Sequence, residues 1–153
     1  KESLDARPSS ECLLTLKNRK GFVKIALVNG ASLVPVFSFG ENDLFKQIAN
    51  PRGSKLRSLQ VMLQKKMGYA LPLFYGRGIF QYRFGLLPNR HPIDTYVGEP
   101  IEVPRLVPEQ ITSEIIDKYH MKYMNALMRL FDTYKAHHGN PNASLVFVDA
   151  PNV

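Results

Sequence analysis

The first forty residues alternate between strand-like and helix-like sequence, and this order constrains the fold more than any other feature of the chain. Residues 12–16 (CLLTL) form a short apolar run that predicts a buried strand, and residues 32–39 (SLVPVFSF) predict a second strand. Between them, Phe22, Ile25 and Ala26 recur at helical spacing. A strand, a helix and a strand within about 30 residues are typical of a parallel βαβ unit. The sequence therefore predicts an α/β fold with a mixed, mostly parallel sheet and flanking helices.

Local signals predict the limits of the first helix and the place of the second strand. Asn18 is the expected N-cap, and the helix is expected to continue to about Val28. Gly30 is placed to end it in a left-handed conformation. Pro35 interrupts the second strand, and because proline cannot donate a ladder hydrogen bond, it argues against a central position in the sheet.

The middle of the chain predicts a basic amphipathic helix and several short elements. Residues 55–67 place Leu56, Leu59 and Leu63 on one side of the helix, while four basic residues can point away from it. The shorter elements are a strand at 70–74, a turn at 76–78, and two strands at 93–97 and 101–103 that pair with each other around Gly98.

A long amphipathic helix over residues 113–138 is the last clear element. Thr112 is its expected N-cap, and Gly139 followed by Pro141 is expected to end it. Its apolar side chains recur at spacings of three and four, at Ile116, Tyr119, Tyr123, Leu127, Leu130 and Tyr134. This stripe is expected to pack on the sheet.

Composition narrows the classes of function. The chain is 44% hydrophobic and 22% charged, as folded domains are. Its net charge of +7 suits anionic partners, which include nucleic acid, phosphorylated cofactors and anionic lipid surfaces. Cys12 is the only cysteine, which excludes an intrachain disulfide and a cysteine-cluster metal site. No apolar run reaches the roughly 18–20 residues of a membrane span.

The start of the first helix is a candidate anion-binding site. Arg19, Lys20 and Gly21 lie where backbone N–H groups are unpaired and the helix dipole favours anions, so a phosphate-bearing cofactor could dock there. The alternative is a solvated basic turn. Cations at a helix N-terminus oppose the dipole, however, and this favours an anion nearby.

The end of the second strand offers a second candidate site. Ser38 lies within the strand, and Glu41, Asn42 and Asp43 follow it in a polar turn. Ligands of open α/β sheets bind outside the carboxyl ends of the strands, so these residues are expected to line a site. The alternative is a hydrophilic turn that caps the next helix.

The four histidines do not form a recognisable catalytic system. His91 lies in a turn-like stretch, His120 lies beside the apolar stripe of the long helix, and His137 and His138 lie in its last turn, where the dipole favours cations. None has a serine, cysteine or carboxylate at a spacing that implies a nucleophile. Glycine-rich phosphate-binding loops and hydrolase signatures are also absent.

Several segments closely resemble the diacylglycerol/monoacylglycerol O-acyltransferase family. The longest is residues 19–47 (RKGFVKIALVNGASLVPVFSFGENDLFKQ), and its length makes the resemblance highly specific. A short similar segment precedes it at residues 2–4. Further similar segments follow it at residues 76–78, 97–104 (VGEPIEVP) and 119–135 (YHMKYMNALMRLFDTYK). The resemblance therefore covers nearly the whole chain.

The resemblance implies transfer of a fatty acyl group from acyl-CoA to an acylglycerol hydroxyl. It also implies a His-Pro-His-Gly motif that supplies the general base and lies N-terminal to the matched region. This motif does not occur here, since the only His-Pro pair is His91-Pro92, followed by Ile93-Asp94. The chain as given is therefore expected to be inactive, with no catalytic residue of its own. Arg19, Lys20 and Gly21 become the candidates for acyl-CoA binding.

The resemblance further implies a glycerolipid-acyltransferase-like fold that is incomplete here, with residues 1–153 forming the C-terminal part of a single acyltransferase domain. Glu2 sits where the family has a glutamate after a Gly-Gly pair, and it joins Ser38, Glu41 and Asn42 as a candidate site-lining residue. Acyl-CoA is expected as co-substrate, with no permanently bound cofactor and no metal. The other expected partners are a mono- or diacylglycerol and a membrane lipid surface, and a homo-oligomer is left open.

The implied location is the cytosolic face of the endoplasmic reticulum membrane, and lipid droplets. The sequence is also compatible with two other classes of function. A non-catalytic membrane-surface, lipid-binding or regulatory module is supported by the basic amphipathic helix at 55–67. Nucleic-acid binding is suggested only by charge, and we expect no nucleic-acid partner because the aromatic residues lie in apolar runs rather than between basic residues.

Overall fold

The computed structural model describes residues 11–48, 53–67, 73–80 and 84–149 of the 153-residue chain. Three helices are described, α1 (Gly21–Asn29), α2 (Lys55–Met67) and α3 (Ser113–Tyr134). The strands are β1 (Glu11–Leu14), β2 (Val36–Phe39), β3 (Lys46–Gln47), β4 (Phe74–Tyr75), β5 (Asp94–Val97) and β6 (Ser144–Phe147). Short 3-10 helices lie at Glu41–Asp43, Pro108–Gln110 and Lys135–His138.

Strand pairing joins distant parts of the chain. β1 pairs in parallel with β6, and β2 and β3 pair in antiparallel fashion with β5 and β4 respectively. In the part of the chain that the structure describes, β1 and β2 therefore do not share a ladder, although a parallel unit was predicted for them. The mostly parallel acyltransferase sheet remains a prediction.

Gly98 does not join two strands that pair with each other, and that prediction was wrong. β5 pairs with β2, while Ile101 forms an isolated antiparallel bridge with Leu33. The segment before Gly98 thus pairs with β2, and the segment after it pairs with the chain just before β2. The Gly98 N–H donates to the Pro35 carbonyl at 2.8 Å, and a Cβ on Gly98 would lie 2.8 Å from the Pro35 ring. Glycine permits this close approach.

The limits of α1 confirm one local prediction and correct another. Asn18 is not the N-cap, because residues 15–18 form a turn in which the Arg19 N–H donates to the Leu16 carbonyl at 3.0 Å. Lys20 is the N-cap residue instead. Gly30 ends the helix with φ of 65°, as predicted, and this left-handed conformation favours glycine.

The helix α2 spans the predicted residues, but its buried face differs from the predicted one. Gln60 is 3% exposed, whereas Leu59, expected on the apolar side, is 48% exposed. β4 starts at Phe74, and residues 70–72 of the predicted strand lie outside the described residues. Residues 76–77 form antiparallel bridges to Gly85 and Leu87, so the expected turn is extended backbone.

The long helix α3 starts where it was predicted to start, but it ends at Tyr134 rather than at residue 138. Thr112 Oγ1 accepts a hydrogen bond from the Ile115 N–H at 3.3 Å, and caps of this kind contribute about 1 kcal/mol. The last predicted turn tightens into the 3-10 helix Lys135–His138, which ends at Gly139 with φ of 73°.

Two buried clusters lie along α3. The first packs α1 and the loops after it, through Val23, Ala26, Leu27, Leu33 and Val103. The second packs the end of α3 against β1, β2 and β6, through Leu127, Phe131, Ala143 and Leu145. Tyr123 contacts both clusters. None of the described helices is both long and apolar enough to cross a membrane.

Candidate functional site

The start of α1 is held against the N-terminal half of α3. His120 on α3 is 2% exposed, and its Nε2 donates to the Leu16 carbonyl at 3.1 Å. The Phe22 ring meets the edge of the Tyr123 ring at 5.0 Å between centroids. These contacts fix the turn that precedes α1 and so determine where Arg19, Lys20 and Gly21 lie. The sequence placed His120 at the flank of the helix and did not identify its partner, which lies more than a hundred residues away.

Lys20 already has an anionic partner inside the protein. Its Nζ lies 2.6 Å from Asp117 Oδ1, with both side chains partly exposed. The first turn of α1 contains no acidic residue. The carboxylate of Asp117 therefore supplies the negative charge that the sequence pattern suggested should lie near this helix start.

Arg19 and Gly21 leave the surface beside Lys20 open. Both are exposed, and a Cβ built on Gly21 would meet no atom within 4 Å. A phosphate could contact the Arg19 guanidinium there and share Lys20 with Asp117. The arrangement can thus hold an anion, at a site where part of the positive charge is already neutralised.

The polar turn after β2 forms a second group of candidate residues. Gly40 adopts φ of 90°, and a Cβ there would lie 2.2 Å from the Pro92 carbonyl oxygen, so this turn requires glycine. Glu41 and Asn42 follow in a 3-10 helix and are exposed. Ser38 Oγ lies 2.9 Å from Thr95 Oγ1 across the β2–β5 pair.

His91 lies beside this turn, a position that the sequence analysis missed. Its Nδ1 donates to the Pro92 carbonyl at 2.9 Å, and its Nε2 lies 4.0 Å from Asp43 Oδ2. Both side chains are more than two-fifths exposed. The imidazole is thus oriented by a backbone carbonyl with a carboxylate nearby, but residues 43 and 91 are too far apart in sequence for any spacing rule to pair them.

A further group joins the last turn of the α3 segment to β5. The His138 Nε2 lies 3.1 Å from the Tyr96 hydroxyl, and its Nδ1 lies 3.7 Å from Asp94 Oδ2. The His138 ring stacks on Phe39 with 4.5 Å between centroids and 5° between planes. The sequence accounted for His138 only as a cation at a helix end, whereas the structure packs it against two strands.

The two groups of predicted site residues lie at different ends of α3. The start of α1 contacts His120, whereas Phe39 at the end of β2 contacts Phe131. At 1.5 Å per residue, these two positions on α3 are about 17 Å apart along the helix axis. The structure therefore does not bring Arg19, Lys20 and Gly21 together with Ser38, Glu41 and Asn42. Glu2 lies outside the described residues.

The described residues contain no group of three or more His, Cys, Asp and Glu side chains that could hold a metal ion. One titratable group stands out between the two core clusters. Burial disfavours the phenolate and raises the pKa of Tyr123 above its ordinary value of 10.0. This hydroxyl is therefore neutral at physiological pH and can act only through hydrogen bonding and packing.

Comparison with known proteins identifies similar sequences over nearly the whole chain. Residues 1–148 match the family model described as diacylglycerol acyltransferase. A 2-acylglycerol O-acyltransferase 1 from Bos taurus is 57% identical over 95% of this chain and 43% of its own length. Diacylglycerol O-acyltransferase 2 from Dictyostelium discoideum is 58% identical over 88% of this chain and 40% of its own length. Diacylglycerol O-acyltransferase 2 from Homo sapiens is 47% identical over 97% of this chain and 38% of its own length.

The chain thus spans about two fifths of the length of the curated relatives it matches. No solved structure matches the chain.

Proposed function

The chain belongs to the diacylglycerol acyltransferase family, and we propose that it forms part of an enzyme that esterifies a mono- or diacylglycerol in triacylglycerol synthesis, with acyl-CoA as co-substrate. The observation that carries this proposal is the identity of 47–58% to relatives named as 2-acylglycerol or diacylglycerol O-acyltransferases. Relatives of both names match almost equally well, so the proposal covers both acceptors.

Ester formation needs a base for the acceptor hydroxyl, a positioned thioester and stabilisation of the oxyanion. The His-Pro-His-Gly motif implied by the resemblance is absent, and we do not assign its role to His91, whose neighbours in sequence are Pro92 and Ile93. The proposal therefore gives these 153 residues a binding role and leaves them unable to transfer acyl groups alone.

The start of α1 is proposed to contact the phosphates of acyl-CoA. Arg19 and Gly21 are exposed there, and Lys20 is held beside them by Asp117. CoA phosphates carry the negative charge that a basic helix start suits. Acyl-CoA is an elongated molecule, so its acyl end can lie far from this point. Ser38, Glu41 and Asn42 are proposed to line the part of the site nearer the acceptor.

The proposed place of action is the cytosolic face of the endoplasmic reticulum membrane and the surface of lipid droplets. The helix α2 supports a membrane surface as partner, because Lys65 and Lys66 are exposed in its last turn while Leu59 and Met62 are exposed on its side. A basic amphipathic helix of this kind can lie at a lipid interface.

The acyl-CoA assignment is tested in a full-length enzyme that contains this chain. Replacing Arg19 and Lys20 together by alanine should raise the apparent KM for acyl-CoA more than that for the acceptor. Each lost charge-assisted phosphate contact costs about 1.5–3 kcal/mol if it is partly desolvated. Lys24→Ala is the matched control, because Lys24 is an exposed lysine one turn further along α1. An unchanged KM for acyl-CoA in the double variant would show that this helix start is only a solvated surface.

The isolated chain provides the second test. Incubated with radiolabelled acyl-CoA and mono- or diacylglycerol, the 153 residues should form no labelled ester. Robust ester formation would overturn both the assigned binding role and the requirement for the missing histidine motif.

A further inference from the structure

The net positive charge of the protein comes from one continuous part of the chain. Residues 44–93 contain nine of the twenty Lys and Arg residues and none of the thirteen Asp and Glu residues. The other eleven basic residues are outnumbered by the acidic ones, so this basic segment accounts for the whole positive excess of the protein. A run of fifty residues with no acidic side chain favours anionic partners.

The basic segment is also where apolar side chains are most exposed. Twelve of the twenty large hydrophobic residues that are exposed among the described positions lie within it. Phe80 is 99% exposed, Leu86 is 82% exposed and Ile79 is 76% exposed. Scattered exposed leucines are ordinary, but several large apolar side chains close together mark a surface that contacts an apolar partner.

The most exposed side chains lie in or directly after a two-stranded ribbon, in which residues 76 and 77 pair with Gly85 and Leu87. The Gly76 N–H donates to the Gly85 carbonyl at 2.8 Å, and Arg77 and Leu87 exchange hydrogen bonds of 2.8 and 3.0 Å. Cβ atoms on Gly76 and Gly85 would lie 2.0 and 2.4 Å from backbone oxygens of the opposite arm. The two glycines let the arms approach closely, with Leu86 between the two paired residues of the second arm and Ile79 and Phe80 in a bend just after the first.

One cation lies in this ribbon, and two more lie close to it through strand pairing or along the chain. Lys46 lies opposite Tyr75 in the β3–β4 pair and is exposed. Arg77 lies in the ribbon, and its Nε donates to the Pro88 carbonyl at 3.0 Å, which holds the guanidinium at the ribbon edge. Arg90 is exposed three residues after Leu87. Apolar side chains bordered by cations match a bilayer interface, where acyl chains lie beneath anionic headgroups.

We propose that the ribbon and the described cations near it, Lys46 and Arg90, form a docking surface for an anionic lipid bilayer, with Ile79, Phe80 and Leu86 entering the interface. This inference deepens the proposed membrane location and rests on it, but it does not depend on acyl transfer. A lipid surface fits better than a second copy of the chain, because two basic segments brought face to face would repel each other.

Tryptophan fluorescence gives a direct test, because the chain contains no tryptophan. A single Phe80→Trp substitution should show a blue-shifted emission with vesicles of phosphatidylcholine and phosphatidylserine, and brominated acyl chains should quench it. Ile25→Trp is the matched control, because Ile25 is 65% exposed on α1, outside the basic segment. Its emission should not change. Vesicle binding without a blue shift or quenching at position 80 would overturn the role of the ribbon.

Two further variants test the apolar and charged contributions separately. Replacing Ile79 and Phe80 together by serine should weaken vesicle binding by about tenfold or more, because two large apolar side chains are withdrawn from the interface. Lys46→Glu should weaken binding to anionic vesicles by about fivefold or more, while Lys24→Glu should leave it unchanged. Equal binding of all variants to vesicles would contradict a lipid partner. So would light scattering that shows a dimer for the unmodified chain and a monomer for the serine variant. If the full-length variants keep their acyltransferase activity despite such a result, the proposed function still stands.

Discussion

The Lys20 ammonium lies 2.6 Å from the Asp117 carboxylate, so the candidate phosphate-binding cation is already paired across the α1–α3 contact. Both side chains are about half exposed, which limits the contribution of the pair to stability to about 1 kcal/mol or less. Its larger consequence is for ligand binding, because a phosphate at the start of α1 would compete with Asp117 for the same cation.

Neutralising this carboxylate should therefore strengthen acyl-CoA binding. In a full-length enzyme containing the chain, Asp117→Asn should lower the apparent KM for acyl-CoA by about two- to fivefold, a range that corresponds to the 0.5–1 kcal/mol of an exposed ion pair. The KM for the acceptor should stay the same. Asp132→Asn serves as the control, since Asp132 is exposed further along α3 and pairs with Lys135. A higher KM for acyl-CoA in Asp117→Asn would mean instead that the carboxylate positions Lys20 for the ligand.

The buried hydrogen bond of His120 should contribute measurably to stability. His120→Phe keeps an aromatic ring but removes one of the two donors to the Leu16 carbonyl, which still accepts from the Arg19 N–H, so the free energy of unfolding should fall by about 0.5–1.5 kcal/mol. His137→Phe provides the same substitution at an exposed position and should change stability by less than about 0.5 kcal/mol. Urea unfolding followed by circular dichroism compares the two. Equal stabilities would show that this contact is not required to hold the turn before α1.

Gly76 should tolerate no side chain. A Cβ there would lie 2.0 Å from the Leu87 carbonyl oxygen, so Gly76→Ala must push the two arms of the ribbon apart, at a cost of about 1–3 kcal/mol. Gly21→Ala is the matched control, since its Cβ would meet nothing within 4 Å, and it should be neutral or slightly stabilising. Thermal unfolding and vesicle binding should both weaken for Gly76→Ala. A melting temperature equal to that of the unmodified chain would indicate that the ribbon is looser than its hydrogen bonds imply.

The burial of Tyr123 predicts that the protein loses stability at alkaline pH. Burial raises its folded-state pKa above the unfolded value of about 10, so the folded chain retains this proton more tightly than the unfolded chain. The stability that comes from burying the neutral hydroxyl of Tyr123 is fully present below the unfolded-state pKa. It is lost as the pH rises through the folded-state pKa. Tyr123→Phe should remove this component, leaving a shallower fall in the free energy of unfolding above about pH 10. Urea unfolding at a series of alkaline pH values would measure the difference, and parallel curves for the two proteins would contradict it.

Elements controlled by neighbouring residues were predicted accurately. The N-cap at Thr112, the left-handed glycines Gly30 and Gly139, and the limits of α2 all follow from interactions within a few residues. The error at Asn18 is also local, because a turn centred on the Leu16 carbonyl uses the residues that would otherwise cap α1. Buried faces were less predictable, as Gln60 and Leu59 show, because the amphipathic pattern does not reveal which side meets the protein.

The candidate site shows the same division between local and distant information. The sequence pointed to Arg19, Lys20 and Gly21 through the charges at a helix start, and it suggested that an anion should lie nearby. It could not identify Asp117 as that anion, nor place His91 beside Asp43, because these pairs are brought together only by the packing of separate elements.

The sequence by itself determined the family, the three helices and most of their ends, and the run of residues 44–93 that holds nine basic residues and no acidic one. Each of these depends on the order of residues along the chain. The tertiary structure alone decided that β1 pairs with β6, that the two groups of candidate residues lie at different ends of α3, and that Ile79 and Phe80 face outward. These features depend on which distant surfaces bury each other, and that choice is made by the free energy of the whole folded chain rather than by any local pattern.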